Sequence, residues 1–270
     1  MIRFRQILTV AVMLLLPLTS GAEETDSLRM LWIGNSYTFF NDLPSIVRDI
    51  AASQGMKLSM TTVLKGGEHL SGHLRNPRLH ELLKHGGWDY VIIQEFSAGP
   101  AADTRTVART VYPYARTIDS LAVKYSPDAK VMFYMTWGHD IDTYAEMQQR
   151  LAESYLEMTA QLNAWCAPVG IAWKRARTEN PSITLYNNDH SHPSRQGSYL
   201  VANVFCSVFF QKPYTGTYYA GLPEEEALYL QRIAQETVFS NPSLWNIQPT
   251  VQPEEVARRF YPEPEQQYST

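Results

Sequence analysis

Three places in this chain combine residue type and spacing in a way that could do chemistry: Gly34-Asn35-Ser36, Gly66-Gly67 and Asp189-x-x-His192. Ser36 closes an apolar run, Leu28 to Ile33. A serine directly after a strand can present its hydroxyl and its own N–H at the strand end. That suits a nucleophile whose amide also helps to hold an oxyanion. The commonest other use of such a serine is to cap a helix or close a turn. Gly66-Gly67 follows a second strand-like run and could offer a further oxyanion N–H. Asp189 lies three residues before His192 and can reach its Nδ1 within one compact turn, which would aim Nε2 as a general base. Together these are the parts of a nucleophilic acyl transfer. The competing use of Asp189, His190 and His192 is as metal ligands, since His-x-His spacing is common in metal sites. No second ligand cluster accompanies them. His69 and His73 stand four apart, but Gly72 beside them argues against a rigid helical metal site.

These residues need elements to position them. Leu28 to Ile33, Lys57 to Leu64, Tyr90 to Ile93 and Lys130 to Met135 read as strands, and Val169 to Ala172 as a short fifth. Helical patterns lie between them. They cover Leu43 to Gln54, Leu70 to Lys84 (broken near Gly72), Thr104 to Tyr125 (kinked or split at Pro113) and Thr143 to Trp165. Two more follow at Ser194 to Phe210 and Glu224 to Phe239. Strands alternating with helices imply a parallel sheet covered on both faces, with ligands beyond the C-terminal strand ends. Ser36, Gly66-Gly67, Gln94 to Ser97 and Trp137-Gly138 should therefore converge on one rim.

The chain has 270 residues, 44% hydrophobic and 19% charged, enough for one sizeable core. Met1 to Ala22 has the form of a signal peptide: Arg3 and Arg5, an apolar Ile7 to Leu18, and Ser20-Gly21-Ala22 at the cleavage site. The alternative is an uncleaved N-terminal anchor. The expected location is outside the cytoplasm, in a bacterial periplasm, with no stable membrane insertion after cleavage. The domain is expected over 27–240, and 241–270, rich in Pro, Gln and Glu, as a tail. No basic run appears and the formal charge is −4, so nucleic acid is not an expected partner. Cys166 and Cys206 could bridge in an oxidising compartment or remain small buried thiols. No G-x-S-x-G elbow, G-x-G-x-x-G or Walker loop occurs.

Taken together, Ile33-Gly34-Asn35-Ser36, Gly66-Gly67 and Asp189-x-x-His192-Pro193-Ser194 resemble the conserved blocks of the SGNH (GDSL-type) hydrolases, from about Leu28 to Phe239. The resemblance implies a three-layer α/β sandwich with a central parallel sheet, flavodoxin-like. It implies Ser36 as nucleophile, Asp189 and His192 as acid–base pair, and the N–H of Ser36 and of Gly66 or Gly67 as oxyanion donors. Asn35 stands where the commoner pattern has Asp. The third block departs: the family pattern has Gly-x-Asn-Asp, whereas this chain reads Gln94-Glu95-Phe96-Ser97. By likeness to members carrying Gln-Gly-Glu there, Gln94 is the candidate third donor, with Ser97 second. Gln94 could instead be a structural amide tying the strand end to a loop.

Tyr37, Phe96, Ser97 and Trp137 are candidate substrate-binding residues, the aromatic ones because ring faces suit sugars. Core packing is their other use. Glu68, His69 and His139 fall near the expected rim without an assigned role. No metal or organic cofactor is implied. The resemblance and the leader point to an exported esterase, one that removes acetyl groups from plant or host glycans. The alternatives are a lipase or thioesterase for longer acyl chains, and a non-catalytic carbohydrate-binding protein on a decayed hydrolase scaffold.

Overall fold

The computed structural model describes residues 27–247. The leader-like stretch at 1–22 and the end of the tail from residue 248 lie outside the described residues. Five parallel strands form one sheet in the order β2-β1-β3-β4-β5. They are β1 (Leu28–Gly34), β2 (Leu58–Leu64), β3 (Tyr90–Ile93), β4 (Lys130–Tyr134) and β5 (Trp165–Ala167). Met30 to Ile33 of β1 and Val91 to Ile93 of β3 are almost fully buried. A parallel strand covered on both faces requires such unbroken apolar runs.

The helices are α1 (Ser36–Phe39), α2 (Leu43–Ser53), α3 (Leu70–His73), α4 (Pro77–His85) and α5 (Thr104–Thr110), followed by α6 (Tyr112–Tyr125), α7 (Tyr144–Leu162), α8 (Val169–Glu179), α9 (Arg195–Phe210) and α10 (Glu224–Ser240). One group packs α9 against α2, α8 and α10; the other packs α6 against α4, α5 and α7. From Gly197 to Phe210 every residue of α9 is buried, and Phe205 meets Trp32 of β1 edge-on at 4.7 Å. A helix apolar on all sides belongs inside the molecule, and α9 is sealed between sheet and outer helices. Among the described residues no helix is long and apolar enough to cross a membrane.

Several expectations from the sequence need correction. Val169 to Ala172 is the first turn of α8, not a strand; the fifth strand is Trp165–Ala167, whose first residue is the last of the helix expected over Thr143 to Trp165. The helix before it stops at Asn163, whose left-handed backbone (φ 49°) ends α7 early. The 70–84 segment breaks at Leu74 to Asn76, where Asn76 caps α4 ahead of Pro77, rather than at Gly72. The 104–125 segment splits at Val111, and Pro113 sits in the first turn of α6, where its missing N–H does no harm. The first residues of the expected tail belong to the core: Trp245 and Ile247 are buried. Cys166 and Cys206 are free, buried thiols. Burial pushes the Cys166 thiol up to about 12.

Sequence order reverses at β1: β2 lies on one side of it and β3 on the other. In open α/β sheets a crevice forms at such a switch point, beyond the C-terminal strand ends. Ser36 follows β1, Gly66-Gly67 follows β2 and Gln94 follows β3.

Candidate active site

Ser36 sits in the first turn of α1, and Asn35 before it is the cap. Asn35 has extended backbone angles, and its Oδ1 accepts the N–H of Tyr37 at 3.2 Å. The capping work therefore falls to Asn35, and the Ser36 hydroxyl is left partly exposed. His192 Nε2 lies 2.8 Å from Ser36 Oγ, and His192 Nδ1 lies 2.6 Å from Asp189 Oδ2. The sequence separation of 156 residues between Ser36 and His192 closes to one hydrogen bond.

Asp189 is organised by its own turn. Its Oδ1 accepts the N–H groups of Ser191 and His192 at 3.0 and 2.9 Å, which leaves Oδ2 for the imidazole. Burial opposes its ionisation, but the hydrogen bonds from His192 and from these two amides outweigh it and hold the carboxyl below its ordinary range. An ionised Asp189 accepts a hydrogen bond from Nδ1–H, so Nε2 faces Ser36 as a lone pair able to receive its proton.

The loop carrying the pair is tied down on several sides. Asn187 N–H donates to the His192 carbonyl, Tyr186 bridges Pro193, and Ser194 caps α9 through the N–H of Gly197. Tyr37 Oη meets Ser191 Oγ at 2.7 Å, and Trp137 Nε1 donates to the Ser191 carbonyl at 3.0 Å. The Phe40 ring lies flat against His192, centroids 4.2 Å apart. Asn41, just after α1, donates to the carbonyls of Pro193 and Ser194 and to Ser198 Oγ. The segment that carries Ser36 thus holds the segment that carries His192. Phe40, Asn41 and Ser191 were not singled out from the sequence. Only the position of Phe40 and Asn41 immediately after the serine block could have drawn attention to them. His190 lies beside Asp140, which also pairs with Arg177, and not with His192 and Asp189. Among the described residues no cluster of three or more His, Cys, Asp or Glu could hold a metal ion.

Two of the candidate aromatic residues are inside the protein. Trp137 is fully buried, stacked between Tyr37 (4.4 Å) and Trp173 (4.0 Å), and Tyr37 is 2% exposed. Neither can stack on a sugar; they support the His192 loop from below. Ser97 is also buried. Phe96 alone of the four remains partly exposed.

Gln94 does not face the site. Its Oε1 accepts from the Asn35 N–H and Thr38 Oγ1, both at 2.9 Å; its Nε2 donates to Asn35 Oδ1 and to the Glu95 carbonyl. Every polar position of the amide is engaged, so it has no donor left for an oxyanion, and it serves as the structural tie. Gly34 makes this fit: a Cβ there would lie 2.6 Å from Gln94 Oε1. Asn35 is no substitute donor, because its Nδ2 is held by the carbonyls of Glu68 and Glu95. Among the described residues no hydrogen bond occupies the N–H groups of Ser36, Gly66 or Gly67. Gly67 has φ +64°, a turn conformation that favours glycine.

Gln94→Ala should accordingly act on folding more than on chemistry. It strands the Asn35 N–H and the Thr38 hydroxyl in a buried place. The expected cost is about 3 kcal/mol, a fall in Tm of about 6–12 °C for a domain of this size. Thermal unfolding followed by circular dichroism measures it. A variant with an unchanged Tm and a hundredfold loss of kcat would restore Gln94 as an oxyanion donor.

No protein-family sequence profile matches this chain, and neither does any curated protein. Solved structures do resemble it. A DUF4886 family protein from Bacteroides uniformis superposes with a TM-score of 0.64 at 15% identity, over 83% of this chain and 98% of that one. A protein from Parabacteroides merdae described as a GDSL-like lipase superposes with a TM-score of 0.53 at 14% identity, over 66% and 94%. The fold is that of the SGNH (GDSL-type) hydrolases. At such low identity the likeness speaks for the fold. Within that fold Ser36, Gly66-Gly67 and the Asp189–His192 turn lie at one rim. Gln94, expected as the third oxyanion donor, serves there as scaffolding.

Proposed function

We propose that this protein is a serine esterase acting through an acyl-serine intermediate. The observation that carries this reading is the continuous line Asp189 Oδ2 to His192 Nδ1 and His192 Nε2 to Ser36 Oγ. Ser36 Oγ attacks the ester carbonyl while His192 Nε2 takes its proton. The N–H of Ser36 and an N–H of the Gly66-Gly67 turn receive the oxyanion. The tetrahedral intermediate collapses as His192 returns the proton to the leaving alcohol. A water molecule, deprotonated by the same nitrogen, then releases the acid and regenerates Ser36. Asp189 holds the imidazole in the required tautomer and stabilises it when charged.

The favoured substrate is an acetylated carbohydrate met outside the cytoplasm. The leader-like N-terminus supports the location. Among the described residues the connections after the strands are short: 65–69 after β2, 94–103 after β3 and 135–143 after β4. None is long enough to fold over a lipid-sized channel. A lipase pocket gains up to about 0.8 kcal/mol for each added CH₂, whereas a small acyl site soon clashes. We therefore expect kcat/KM on p-nitrophenyl esters to fall from acetate through butyrate to octanoate, with acetic acid released from at least one acetylated glycan. A profile rising to octanoate would replace this reading with a lipase or thioesterase. Acetate preference without glycan turnover would remove the carbohydrate.

A further inference from the structure

A second histidine stands on the same rim, and its mounting resembles that of His192. His69 Nδ1 lies 2.7 Å from Oε1 of Glu95, a carboxylate only 1% exposed. That carboxylate also accepts the backbone N–H of Phe96 at 2.8 Å and of Leu70 at 3.0 Å. Burial pushes the Glu95 carboxyl above its ordinary range, while these donors and His69 pull the other way. Two amides aimed at the oxygens favour a carboxylate that accepts a hydrogen bond from Nδ1–H, which leaves His69 Nε2 as an acceptor. The His69 side chain is 49% exposed, and its ring lies against Phe96 at 4.6 Å.

The place of this pair is fixed relative to Ser36. Asn35 Nδ2 holds the carbonyls of Glu68 and Glu95 at 3.2 and 3.3 Å, so the residue before the nucleophile grips the residue before His69 and the partner of His69. A buried acid with three donors, set under a half-exposed imidazole, is more than a free surface histidine requires. In the mechanism above, the acyl-transfer steps use His192 and leave His69 without a task.

Resting on the esterase reading above, we propose that His69, held by Glu95, selects the alcohol half of the substrate by accepting a hydrogen bond from a hydroxyl adjacent to the ester oxygen. Such a vicinal hydroxyl is what a partly acetylated sugar carries and a simple alkyl ester lacks. The partly exposed Phe96 beside it suits the C–H face of the same ring.

A matched pair of esters tests this: trans-1,2-cyclohexanediol monoacetate and cyclohexyl acetate differ by one vicinal hydroxyl. The wild type should favour the diol ester by about tenfold in kcat/KM, the worth of one good hydrogen bond. In His69→Ala and in His69→Phe, which keeps a ring against Phe96 but has no acceptor, that ratio should fall to near one. Turnover of p-nitrophenyl acetate, which has no such hydroxyl, should stay within about threefold of wild type in both variants. A wild-type ratio near one would overturn the proposal. So would a ratio that persists in either variant, or an equal loss on all three esters. No turnover of any ester by the wild type would overturn the esterase reading itself.

Discussion

Ser36→Ala should lower kcat/KM on p-nitrophenyl acetate by about 10⁴-fold or more, as expected when the nucleophile of a triad is removed. The structure predicts a clean loss. Asn35, not Ser36, caps α1, and among the described residues the only side-chain hydrogen bond of Ser36 is the one to His192. The Ala variant should therefore keep the wild-type Tm to within about 2 °C, because it strands no buried group. A serine-directed organophosphonate should label wild-type protein on the peptide containing Ser36 and leave the variant unlabelled. Labelling of another serine, or an Ala variant with full activity, would end the assignment.

His192→Ala should be nearly as inactive, with an expected loss of about 10⁴-fold. Asp189→Asn should approach it by another route. The asparagine Oδ1 can still accept the amides of Ser191 and His192, so the turn survives. Its NH₂ then meets Nδ1, which favours the tautomer with the proton on Nε2, facing Ser36, where no lone pair remains to receive one. The comparison that checks the register is His190→Ala. The His190 side chain is 63% exposed and lies beside Asp140, away from the Ser36–His192 line, so this variant should retain activity. An essential His190 with a dispensable His192 would mean that the loop is arranged differently from the one described.

The parts of the fold legible in the sequence are those written in long patterns. Four strands are legible because three are apolar runs and Lys57 to Leu64 is an alternating, β-branched one, and the nearness of Ser36 to the Asp189–His192 pair because spacing confines them to a strand end and one turn. The fifth strand escaped because Trp165-Cys166-Ala167 is three residues long and pairs on one side only. Val169-Gly170-Ile171-Ala172 offered a more strand-like composition, yet its residues open a helix whose apolar side closes on the core. Short apolar runs do not distinguish the two states. Gln94 was misplaced for a different reason. Its position after β3 is the one expected of a donor, but which way an amide turns is decided by neighbours distant in sequence: the gap above Gly34, the Asn35 N–H and the Thr38 hydroxyl. The aromatic residues obeyed the same logic. Nothing local says that Trp137 lies beneath the rim while Phe96 stands on it.

Asn41 clasps the start of α9, and Ser36 and His192 lie 156 residues apart in the chain. During synthesis β1 leaves the ribosome well before the loop that carries His192. A nascent chain that ends before His192 holds a serine with nothing to deprotonate it and a surface prepared for a helix not yet made. On the esterase reading, catalytic competence would thus arrive late and all at once, when α9 docks. The same division suits complementation: two inactive fragments cut between Ser36 and His192 would report their own reunion by regaining ester turnover.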